Sequence, residues 1–168
     1  MERQLRSPVW AARSPDWPAA VAAGLAAGAT LMVLELFWAA SLGDIGPWAV
    51  SRMVAAIVLG PGVLQSPDFA LGVVALALLI HYLLGVFTGG VIGALIAGFA
   101  VEPGLLAIQA FGALFGAIVY AANFHGLTTI FPWFADLRGV ATLIGHLVFG
   151  ITAALVYWKL RRSEGGKR

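Results

Sequence analysis

Four stretches of the chain stay apolar long enough to cross a bilayer, and short segments rich in Gly, Pro, Asp and aromatic residues separate them. The first covers residues 18–42, PAAVAAGLAAGATLMVLELFWAASL, with Glu35 as its one charge. The second starts after Ser66-Pro67-Asp68 and covers about 69–100. The third covers about 104–122, entered through the tight turn Glu102-Pro103-Gly104, and the fourth about 139–158. A hydrocarbon core ~30 Å thick takes about 20 helical residues, so each stretch predicts a transmembrane helix. Between the first two lies a shorter apolar stretch, residues 47–60. Pro47 suits a first helical position and Gly60-Pro61-Gly62 stops the helix. About 13 residues cannot span the membrane, which predicts an interfacial or half-inserted helix.

Composition agrees with this pattern. Of 168 residues, 61% are hydrophobic and 11% charged, against about 25% charged in an average soluble domain. The expected fold is therefore all-α, a single integral-membrane four-helix bundle over residues 1–168 with basic tails at 1–17 and 159–168. A soluble enzyme and a nucleic-acid binder are excluded as classes. The chain has no cysteine, so disulfides, thiolate metal sites and iron–sulfur clusters are excluded too. The first apolar stretch is too long for the h-region of a cleaved signal peptide and is expected to remain as a span.

Charge placement predicts the topology. Eight of the ten Lys and Arg lie in the two tails. Between Trp17 and Trp158 the formal charges are Glu35, Asp44, Arg52, Asp68, Glu102, Asp136 and Arg138. The positive-inside rule then places both termini in the cytoplasm, with segments 44–68 and 123–138 outside. Phe131, Trp133 and Phe134 read as an aromatic belt at the outer interface. No internal repeat of the inverted-transporter kind is present.

Small residues recur at four-residue spacing in Gly24/Gly28, Gly85/Gly89, Gly89/Gly93, Gly112/Gly116 and Ala141/Gly145. Such faces let helix backbones approach closely in lipid. They point to packing within the bundle ahead of oligomerisation.

Ionisable groups at depth carry what functional signal there is, because each needs a partner in lipid. There are four candidates, Glu35, His81, His125 and His146, one per span. Counting from the outer ends, Glu35 and His146 lie about 10 Å deep and His81 about 18 Å; His125 falls at the outer end of its span, beside Asn123. A carboxylate with two or three imidazoles suits zinc, iron, copper or manganese. Bis-His haem is disfavoured by the depth difference between His81 and His146. Glu35 and His146 at equal depth could instead relay protons, and a Glu–His pair could simply hold helices in register. No HxxxH or ExxH spacing marks a local metal motif. Arg52, Asn123 and Asp136 form a second candidate polar cluster on the outer face, with Asp44, Asp68 or Asp136 as partners for Arg52. Gln109, Thr88 and Thr142 read as interhelical hydrogen-bonders.

The segments RMVAAIVLGPGVL, NFHGLTTIFPWFADLRG and GHLVFG resemble those of a group of small uncharacterised bacterial inner-membrane proteins, some of which carry the label sodium:proline symporter. The resemblance runs from about Arg52 to Gly150 and implies a bacterial inner-membrane location and four spans. It supplies no site residues. Sodium–solute symporters are built from more spans and from two repeats with broken helices, and this chain has neither. The expected function is an accessory or scaffold protein, a subunit of a larger membrane complex or a homo-oligomer, in contact with lipid and not with nucleic acid. The alternatives are a metal- or haem-binding membrane protein and a small transporter or proton-conducting oligomer.

Overall fold

The computed structural model describes residues 14–41, 46, 48–98 and 104–161. Five α-helices form: α1 (Trp17–Ser41), α2 (Ala49–Leu59), α3 (Leu71–Ala97), α4 (Leu105–Ala121) and α5 (Val140–Leu160). All but α2 are long and apolar enough to cross a membrane, and no strand occurs among the described residues. The chain is thus a four-span helical bundle with one short extra helix. The predicted boundaries agree to within three residues wherever the residues are described. Residues 42–45 and 99–103, Pro47, Trp10 and most of both basic tails lie outside the described residues.

Local chemistry explains the helix ends. Asp16 caps α1, its Oδ1 accepting from the Ala19 amide at 3.2 Å, which satisfies one of the free donors of the first turn. Gly60 ends α2 at φ +79°, a left-handed conformation that glycine adopts without strain. Pro61 then opens a 3-10 turn, Pro61–Gln65, that leads to α3. At its far end α4 widens into a π turn, Ala122–Gly126, and the chain returns to α5 through two 3-10 turns, Leu127–Thr129 and Pro132–Leu137.

The packing order differs from the chain order. α5 packs against α4 on one side and α1 on the other, and α1 packs against α3, which also carries α2. α3 and α4 are consecutive yet share no extensive contact. The small-residue faces account for this order. A Cβ on Gly24 of α1 would lie 2.8 Å from the carbonyl carbon of Gly85 on α3, and one on Gly89 would lie 2.7 Å from the Gly24 Cα. Gly116 of α4 meets the His146 backbone on α5 in the same way, a Cβ there falling 2.8 Å from its carbonyl carbon. Gly145 of α5 faces Leu31 and Trp38 of α1. The glycine spacing therefore encodes intramolecular contacts, α1 with α3 and α4 with α5.

Two cores result, one at each end. The side where α1 begins and α5 ends, the terminal side, is filled by Ala20, Ala23 and Ala27 of α1, Ile92 and Ile96 of α3, Ile108 of α4, and Ala153, Ala154 and Tyr157 of α5. Tyr157 also accepts a hydrogen bond at 3.2 Å from the Asp16 amide, tying the start of α1 to the end of α5. On the opposite side, called the α2 side, Met53, Phe124 and Phe134 are buried together with Phe131 and Trp133 packed on them. The aromatic residues expected to form a lipid belt thus fold inward. Trp133 Nε1 donates to the Met53 oxygen at 3.0 Å, which fastens the 132–137 turn to α2 and gives the indole N–H a partner within the protein.

Candidate functional site

Toward the α2 side the helices leave cavities between them, and Glu35 stands among these. Glu35 lines two cavities at once. One, of about 260 Å³, lies between the end of α1 and the start of α5 and is bordered by Trp38, Asp136, Arg138 and Thr142. The other, of about 240 Å³, lies between α1, α2 and α3 and is bordered by Met32, Trp48, Val54, Leu78 and His81. Ala39 and Val50 border both, so α2 roofs the divide between them. Glu35 is partly buried and makes no hydrogen bond or ion pair with another described residue. The carboxyl at depth, expected to need a partner, has empty space beside it instead.

The three histidines are placed differently. His81 Nε2 lies 2.8 Å from the Gly28 oxygen, a cross-helix bond from α3 to α1 that the bare Gly28 backbone permits. His146 is buried, its Nδ1 2.9 Å from the Thr142 oxygen one turn back on its own helix. Its ring sits among Tyr120, Phe124 and Phe149, with centroids 5.9, 5.2 and 6.5 Å away. His125 is exposed in the π turn, edge-on to Tyr120 at 5.8 Å. The expected metal set of Glu35, His81, His125 and His146 is not gathered: no three His, Asp or Glu among the described residues come together to hold a metal ion. The physical reason is placement: His125 is exposed in the π turn, His146 is enclosed by aromatic rings, and neither lines a cavity that Glu35 borders. Glu35 and His81 do share a cavity, whereas His146 lines neither of Glu35's cavities.

Arg52 is buried, 7% exposed, and it meets main-chain oxygens where a carboxylate partner was expected. Its Nη1 donates to the Val63 oxygen at 3.0 Å and its Nη2 to the Asp68 oxygen, so the guanidinium clamps the 61–68 segment onto α2. The forked donor geometry suits two main-chain oxygens at once. Arg52 and Asp136 border a third cavity of about 420 Å³ with Trp133, and Asn123 does not reach it. Arg138 plays a similar bracing part, Nε donating to Phe124 O and Nη2 to Thr128 Oγ1 at 3.0 Å. Thr88 donates to the Leu84 and Gly85 oxygens of its own helix and makes no interhelical bond. The clamps by Arg52, Arg138 and Trp133 were not foreseen. Their only sequence signal is a cation or an indole beside a Pro-Gly-rich turn.

The geometry defines a class, a small multi-pass helical membrane bundle with a carboxyl-bearing cavity pair open to one side. No family model, no curated protein and no solved structure matches the chain.

Proposed function

We propose that the chain is an accessory or scaffold subunit of the bacterial inner membrane, working as part of a larger membrane complex with both termini in the cytoplasm. One observation carries this reading. The terminal side is filled, among the described residues, by a core of Ala, Leu, Ile, Phe and Tyr side chains, and no residue of that core lines the cavities beside Glu35, which supports their lacking a continuation through a single copy. A self-sufficient transporter or channel needs such a continuation, or a rocking repeat around its site. Two imidazoles at depth, His81 and His146, also bond main-chain oxygens, and Arg52 and Arg138 do the same on the α2 side.

The uncovered helices support the same reading. α3 and α4 sit at the outer edges of the packing order and expose Leu83, Phe87, Leu114 and Ile118. Photo-crosslinking residues placed at Phe87 and Leu114 in native membranes test the proposal. The expected result is a discrete adduct with one defined second polypeptide from at least one position. Adducts with lipid alone at both positions contradict it.

A further inference from the structure

We propose that the cavity between α1, α2 and α3 binds a small lipophilic cation, an organic ammonium ion whose charge rests at Glu35 and whose apolar body lies against Met32, Leu36, Val54 and Leu78. The inference goes beyond the accessory-subunit reading and does not depend on it.

Three features of the cavity select this chemistry. First, the carboxyl of Glu35 has no partner among the described residues and borders about 240 Å³ of space. A charge held in a low-dielectric site is costly alone and is stabilised by an opposite charge brought beside it. Second, apart from Glu35, Ser51 and His81 the lining is apolar or aromatic. A bare metal cation would need several oxygen ligands to replace its hydration shell. Among the described lining residues Glu35 and His81 are the strong metal ligands, and no third His, Asp or Glu joins them, so too few donors are present. An organic cation carries its own apolar shell and needs only one countercharge. Third, Trp48 borders the same cavity, its ring braced edge-on by Phe69 with centroids 4.9 Å apart. An indole is the best aromatic partner for an ammonium group.

The neighbouring cavity is less suited. It shares Glu35 and adds Asp136, but it also carries Arg138, whose charge offsets the second carboxylate. An anion would meet the Glu35 carboxyl in either cavity, and a neutral apolar molecule would gain nothing from it.

Benzyltrimethylammonium is the probe, with its uncharged carbon isostere neopentylbenzene as control. Binding to the purified full chain in lipid nanodiscs is read by calorimetry and tryptophan fluorescence. The expected result is saturable binding of the cation, weakened at least about tenfold by Glu35→Gln and also weakened by Trp48→Leu, with the isostere bound more weakly than the cation. Should Glu35→Gln fail to fold, Val54→Phe keeps the carboxyl while filling the cavity and is expected to abolish binding. Absence of saturable binding to the unmodified chain, equal binding of the isostere, or undiminished binding by a folded Glu35→Gln or Val54→Phe variant overturns the proposal.

Discussion

His81 on α3 and Gly28 on α1 are joined by a hydrogen bond of 2.8 Å across 53 residues of sequence. The Gly28 oxygen has a second lone pair beyond its helical bond, and the imidazole uses it. The contact lies just above the point where Gly24 and Gly85 bring the two backbones together, and it helps fix their register.

Removing this bond should cost little but measurably. His81→Ala is expected to lower stability by about 1 kcal/mol, in the range of interhelical hydrogen bonds within membranes. Denaturant titration in mild detergent, followed by circular dichroism, reads the loss. A variant as stable as the parent would show that the bond does not hold α1 to α3.

The glycines separate into two groups. A Cβ on Gly24 runs into the Gly85 backbone, whereas a Cβ on Gly28 lies 3.6 Å from His81 Nε2, an ordinary contact. Gly24→Ala should therefore destabilise by about 1–3 kcal/mol through overpacking against a backbone that cannot move aside. Gly28→Ala should be neutral within about 1 kcal/mol, because better helix propensity offsets the tighter contact. The same titration compares them, and equal losses would contradict the packing described.

Arg52→Lys tests the clamp on α2. An ammonium is a point donor and does not span the Val63 and Asp68 oxygens as the guanidinium fork does. The expected loss is about 1–3 kcal/mol, with faster hydrogen exchange confined to residues 60–70. Unchanged exchange there would mean that the 61–68 segment is held by other contacts.

Trp133→Phe keeps the aromatic packing and deletes the donor to the Met53 oxygen. A loss of about 1 kcal/mol is expected, with exchange rising in α2 and the 132–137 turn together. A rise in only one of them would show that the two are not coupled through this bond.

The spans were legible because lipid imposes a simple rule, about 20 apolar residues per crossing. The glycine spacing likewise announced close helix contacts. It did not say which helices pair, and the separation of α3 from α4 came only from seeing Gly24 against Gly85 and Gly116 against His146. The belt expected of Phe131, Trp133 and Phe134 does not form; an aromatic cluster beside a span has the same composition whether it faces lipid or a second small core. Phe134 and Trp133 chose the core, α2 being there to cover them. Among site residues, depth arithmetic set Glu35 level with His146 and His81 deeper, whereas the cavity joins Glu35 with His81 and leaves His146 out. It could not foresee that main-chain oxygens, invisible in a sequence, would take a ring nitrogen of His81 and of His146.

The central claim is that one copy of the chain opens a carboxyl-lined space from the α2 side and is sealed on the terminal side. The chain has no cysteine, so single cysteines report on this directly. Ala39→Cys and Ser51→Cys line the cavities, whereas Ala27→Cys and Ala153→Cys sit in the closed core. Labelling by a membrane-impermeant thiol reagent in sealed vesicles of known orientation is the deciding measurement. The account predicts reaction at Ala39→Cys and Ser51→Cys from the α2 side alone, and none at Ala27→Cys or Ala153→Cys from either side. Labelling in the core, or labelling of the cavity positions from the terminal side, would contradict it.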